Sequence, residues 1–151
     1  MLIHNDMLTA SILRLQYLCD TIPGLLLAIP EKEFSRKPDP DQWSKKEIIG
    51  HLIDSATNNH QRFVRGQFED APSIMYHQDY WNSYSRYQDM DAAHVIGFWA
   101  MYNRHLVELV KRIPDDLLLR NCVTEGTVSL QWLFEDYVRH LEHHLHQVIS
   151  Y

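Results

Sequence analysis

The stretch RHLEHHLHQ, residues 139–147, places four of the chain's ten histidines within nine residues and interleaves them with leucines. On an α-helix each residue turns by about 100°. Leu133, Phe134, Tyr137, Leu141, Leu145 and Val148 then define one apolar face. His144 falls within that face, and His140 sits on its shoulder one turn earlier. His143 and His146 fall on the opposite side. A His-x-x-x-His pair offers two imidazole nitrogens to one metal ion. The same spacing also suits two core-edge histidines satisfied by hydrogen bonds, so it does not establish a metal site by itself.

A divalent ion wants at least one more ligand. His51, His60, His94 and His105 are candidates, with Asp54 and Asp136 beside them. His51 does not lie on the apolar stripe of its own segment, which is Ile49, Leu52, Ala56 and Phe63. It follows a polar line with Ser55, Asn58 and Arg62. That line is either a solvated face or the wall of a cleft between helices, and periodicity slightly favours the solvated face. Arg62 accordingly reads as a solvated arginine, with capture of an anionic substrate group as the alternative. Asp54, one turn beyond His51, reads as a surface or cap-like aspartate, as a general base, or as a partner that orients a ligand. Asp136, one turn before His140, reads as a surface residue or a partner that orients a ligand.

Four helical segments must position these residues. The first runs from about Asp6 towards Ile29, on the stripe Leu8, Ile12, Leu15, Cys19, Ile22 and Leu26, and Pro23 should kink or break it. A loop punctuated by Pro38 and Pro40 follows. The second helix opens with a capping box, Ser44 to Glu47, and should end at about Arg65, before Gly66. Residues 66–88 show no clear period but carry Phe68, Tyr76, Tyr80, Trp81, Tyr84 and Tyr87. An ordered crossover packed on the bundle by these aromatics is expected, since a long loop without a role is uncommon; it suits the joining of two parallel helices. The third helix spans roughly Met90 to Ile113, ended by Pro114. A second loop leads to a Ser129 cap and a fourth helix running to about Ser150. The expected fold class is all-α, a four-helix bundle with a long crossover between helices two and three, in a single domain over residues 1–151.

Composition narrows the function. The net charge of −6 with no basic stripe argues against a nucleic-acid partner. No apolar run approaches the roughly 18 residues that span a bilayer, and no secretory signal is visible, so no membrane partner and a cytoplasmic location are expected. Cys19 and Cys122 are then read as reduced structural thiols.

DQWSKKEIIGHLIDSATNNHQRFVR (41–65), taken with WLFEDYVRHLEHHLHQV (132–148) and the crossover YHQDYWNSY, resembles the DinB/YfiT-like superfamily. The resemblance implies a bundle in which His51, His140 and His144 bind one divalent metal ion, zinc or nickel first, with His143 standing at the family's non-ligand position. It sets aside the solvated reading of His51. It further implies metal-dependent hydrolases, or transferases that join low-molecular-weight thiols to electrophiles. The partner would then be a small-molecule substrate, and a homodimer formed through a helix face is a further expectation. Three neutral imidazoles leave open positions on an ion, the catalytic rather than the structural pattern, with Asp54 as the catalytic residue. A non-catalytic metal-binding or dimerising stress-response bundle is the alternative.

Overall fold

The structure, a computed structural model, describes residues 2–151, with side chains from Asp6 onward. Its elements run α1 (Leu2–Leu27), α2 (Glu31–Phe34), α3 (Lys45–Arg65), α4 (Gln78–Ser85), a 3₁₀ turn (Tyr87–Asp89), α5 (Ala92–Val110), α6 (Asp115–Leu118), β1 (Asn121–Val123), β2 (Thr127–Ser129) and α7 (Leu130–Leu145). The four long helices α1, α3, α5 and α7 form an all-α bundle. Among the described residues no helix is long and apolar enough to cross a membrane.

The helix ends follow local chemistry. Ser44 Oγ accepts from the Glu47 amide at 3.1 Å while Glu47 Oε1 accepts from the Ser44 amide at 3.0 Å, which completes the capping box of α3. Ser129 caps α7 by a single bond, its Oγ accepting from the Trp132 amide at 3.1 Å. The first helix continues through Pro23 to Leu27 instead of stopping there. Proline removes the N–H that would bond the Cys19 carbonyl one turn back. Arg104 of α5 fills that vacancy, its Nη2 donating to Cys19 O at 3.0 Å. The fourth helix ends at Leu145, short of Ser150, because the chain tightens into i→i+3 bonds from Gln147 to His144 and from Val148 to Leu145.

Side-chain pairings give the helix directions. Lys46, at the start of α3, donates to Met90 O at 2.8 Å, just ahead of α5, and further along His60 meets Tyr102 at 2.7 Å. The two helices therefore run parallel, as the long crossover requires. Phe63 packs on Phe134 and Tyr137, while His51 lies against His144, so α3 and α7 run antiparallel. Leu15, Leu18, Ile22, Phe63, Trp99, Leu106 and Phe134 are fully enclosed between the helices. Burying a side chain of this size stabilises the fold by about 1.5–3 kcal/mol.

The crossover is ordered, but most of its aromatics are not what holds it. Phe68, Tyr80 and Tyr84 are exposed, and Trp81 is partly so. Its anchors are Tyr87, Ile74 and Asn82, all buried, with Asn82 Nδ2 donating to Glu47 O at 2.8 Å. Tyr87 lies so close to α3 that a Cβ on Gly50 would run into its ring. The second loop also holds structure absent from the periodic pattern. Its β1–β2 hairpin pairs Cys122 with Val128, and the Val123 amide donates to Pro72 O at 2.9 Å. Arg120 adds bonds to Gly66 O and Glu69 O, so hairpin and crossover brace each other.

Candidate metal centre

Two helices build the site. His140 and His144 lie one turn apart on α7, and antiparallel packing brings His51 of α3 against them, with ring centroids 6.2 and 4.7 Å away. One nitrogen from each of the three lies within 4.8 Å of the others. Among the described residues no carboxylate or thiol joins that cluster. His140 and His144 approach through their Nε2 atoms at 3.1 Å. That is close to the roughly 3.3 Å between two nitrogens on a tetrahedral ion with ordinary Zn–N bonds.

His51 is 1% exposed, and neither of its ring nitrogens has a hydrogen-bond partner. Trp43 covers the ring with centroids 4.9 Å apart. An unpaired buried polar group costs about 1–3 kcal/mol, and a bond from one nitrogen to an ion would remove part of that cost. Burial, reinforced by His144 and His140, pushes the His51 pKa down to about 3. Burial also lowers His140 and His144, opposed by Asp136 in the first case and by Gln147 in the second. The lowered values favour the neutral, ligating form of all three rings. His144 Nδ1–H donates to Gln147 Oε1 at 3.0 Å, which leaves its Nε2 as the lone-pair nitrogen aimed at His140. The donor set, its spacing and the unpaired His51 nitrogens fit a divalent cation.

The centre is open on one side. His140 is exposed and lines a cleft of about 850 Å³ together with Ser55, Asn59, Arg62, Tyr76, Asp136 and Tyr137. The polar line of α3 thus borders a cleft instead of facing bulk solvent: Ser55 and Asn58 are buried and Arg62 is half-buried. Asp54 is 3% exposed; its Oδ1 accepts from the Tyr87 hydroxyl at 2.5 Å and its Oδ2 has no partner. Burial raises its pKa to about 6 against the Tyr87 bond, which lowers it. The surface reading of Asp54 therefore fails, because the crossover lays Tyr87 over it.

The chain matches the model of the DinB superfamily over residues 15–148. The chain belongs to the DinB superfamily. Among solved structures, YfiT from Bacillus subtilis, described as a probable metal-dependent hydrolase with an unusual four-helix bundle topology, superposes with a TM-score of 0.84. The two share 18% identity, over 93% of this chain and 83% of YfiT. A mycothiol-dependent maleylpyruvate isomerase gives a TM-score of 0.69 at 12% identity, over 89% of this chain and 59% of the isomerase. At these identities the likeness is one of fold. No curated protein matches this chain.

No other described histidine joins this cluster. His143 is exposed, its ring 5.4 Å from that of His144 and 6.4 Å from that of His140, and His146 stacks on Tyr151 at 4.4 Å. His60 bonds Tyr102 and lies 5.3 Å from His105, while His94 stacks on Phe98. Asp136 is partly exposed and borders the cleft, 3.4 Å from Arg139. Three contributors escaped the sequence reading. Gln147 was findable, three residues after His144 on the same helix. Trp43 and Tyr87 were not, since only the folded loops bring them to α3.

Proposed function

We propose that His51, His140 and His144 bind one divalent metal ion, zinc or nickel, and that the protein is a metal-dependent enzyme acting on a small electrophilic substrate. Water or a low-molecular-weight thiol is the attacking group. The observation that carries this reading is the open side of the centre: three neutral imidazoles converge while one of them, His140, lines an 850 Å³ cleft. A purely structural site would be closed by a fourth protein ligand. Bound there, a divalent ion supplies the Lewis acidity that lowers the pKa of a coordinated water or thiol and polarises a carbonyl-type electrophile.

The chain's own residues supply the rest. His144, held by Gln147, keeps its lone pair on the ligating side. His51, fully buried under Trp43, has no other polar group to turn towards. Asp54 is the proposed proton-handling residue. One oxygen is fixed by Tyr87, the other is free, and a pKa of about 6 lets it exchange a proton near neutrality. All-imidazole ligation suits zinc and nickel. The chain's structural neighbours support the reading: YfiT is described as a probable metal-dependent hydrolase and the isomerase as mycothiol-dependent.

Metal analysis of untagged protein, with turnover screens of ester, amide and thiol-plus-electrophile substrates, tests the proposal. His51→Ala, His140→Ala and His144→Ala are each expected to abolish metal binding and turnover, while His143→Ala and His146→Ala retain both. Equal metal loss in His143→Ala would mean that the ligating face of α7 is wrongly assigned. Full metal occupancy with no turnover in any screen would instead establish a non-catalytic metal-binding bundle.

A further inference from the structure

Arg62 borders the same cleft with its charge unpaired. Its guanidinium is half-buried; Nε and Nη2 donate to Ile74 O at 3.1 and 2.6 Å, and Nη1 donates to Asn59 Oδ1 at 3.3 Å. Both acceptors are uncharged. Among the described residues no carboxylate lies within ion-pairing distance of Arg62, a state it shares with Arg36, Arg86 and Arg120, but of these four only Arg62 lines the cleft. A guanidinium carries five N–H donors, so two remain, one on each terminal nitrogen. Anchoring the Ile74 carbonyl needs only a neutral donor. Half-burying an unpaired positive charge is unfavourable; Arg120 meets that cost away from the cleft, on Gly66 O and Glu69 O, whereas Arg62 lies where an anion entering the cleft could complete its site.

The surroundings define that anion. Tyr76 and Ser55 line the cleft alongside Arg62. Asp79, Glu125 and Asp136 also line the cleft. Three carboxylates against one arginine repel a polyphosphate or any other polyanion, while a single carboxylate seated on Arg62 remains compatible. Geometry bounds the length. Arg62 leans back over Asn59, eight residues beyond His51 along α3, a rise of roughly 12 Å.

We propose that Arg62 is the carboxylate-binding subsite of the cleft, and that the substrate is a small molecule bearing one carboxylate roughly 10 Å from the group that reacts at the histidine centre. The reacting end rests on the function proposed above; the carboxylate end needs only Arg62 and the cleft. Octanoate and octan-1-ol are suitable probes, of matched length and differing in charge, with metal-free protein in a calorimeter. Octanoate should bind at least tenfold tighter, the worth of a charge-assisted pair. Arg62→Gln should erase the preference and Arg62→Lys retain part of it. Octanoate, and not octan-1-ol, should also shield Arg62 from phenylglyoxal, read by peptide mass; this arm decides the matter if Arg62→Gln does not fold. Equal affinity for the two probes, unshielded Arg62, or a preference that survives in folded Arg62→Gln would overturn the subsite. In cobalt-loaded protein, 8-mercaptooctanoate should give thiolate-to-cobalt absorption at lower concentration than 8-mercaptooctan-1-ol. Octanoate selectivity in a protein that binds no cobalt would remove the metal reading and leave the subsite standing.

Discussion

Replacing Asp54 by Asn should make the metal-free protein more stable at neutral pH, by an amount that the structure sets. Asp54 is 3% exposed, and burial raises its pKa from an ordinary value of 3.8 to about 6. Below pH 4 the carboxyl is protonated in both folded and unfolded chains and carries no penalty. Between about pH 4 and 6 the unfolded chain releases this proton while the folded chain keeps it. Stability is therefore lost as pH rises through that window, and the loss is complete above the folded pKa. A shift of about two units at 1.36 kcal/mol per unit gives about 3 kcal/mol. Asn keeps the oxygen that accepts from Tyr87 and removes the charge. Urea denaturation of chelator-stripped wild type and Asp54→Asn, from pH 4 to 8, measures the effect. The two should nearly coincide at pH 4, and the variant should lead by about 3 kcal/mol at pH 7.5. For a chain of this length that corresponds to a Tm difference on the order of 6–12 °C. Turnover should fall in the variant while metal is retained, a trade of stability for a proton-handling group. A variant less stable at pH 7.5, or a gap that does not change with pH, would refute the burial argument.

Other changes test the supports of the centre. Gly50→Ala places a methyl against the Tyr87 ring, and should destabilise the fold by about 1–3 kcal/mol, read by the same denaturation. Gln147→Leu removes the acceptor that holds His144 Nδ1–H and should weaken metal affinity by about tenfold or more, measured by competition with a chromophoric chelator. Because burial lowers the pKa of all three histidines, proton competition for the metal should begin only below the usual imidazole value of about 6.5. Metal affinity should then be flat from pH 8 to 6.5 and fall at lower pH; a decline starting above pH 7 would contradict the neutral-ligand assignment.

The parts of the fold that were legible in the sequence are those governed by local rules. The Ser44 and Ser129 caps, the apolar stripes and the breakers before and after them depend on neighbours within one turn. The inward phase of His140 and His144 is of the same kind. Pro23 shows where local rules stop: a proline ends a helix unless something satisfies the carbonyl it abandons, and here Arg104 bonds that carbonyl, on Cys19, from 85 positions further along the chain. The hairpin of residues 121–129 likewise depends on Pro72 and Ile74, which no short-range pattern reveals.

The polar line of α3 carries the same lesson into the site. A helix read alone shows which residues share a face, not what covers that face. His51, Ser55, Asn58 and Arg62 therefore look like a solvated stripe. In the folded chain α7 approaches one end of that stripe with two histidines, and the crossover folds over it with Ile74, Tyr76 and Tyr87. Burial then changes what each side chain can do. It strips His51 of partners so that its lone pair remains free, it holds Asp54 near the protonation midpoint, and it leaves Arg62 charged beside neutral acceptors. Each of these states is unfavourable for a lone helix in water. Their occurrence within about three turns of one helix, with Arg62 on the open cleft and His51 beside His140, supports the proposal that this face of α3 serves chemistry as well as packing.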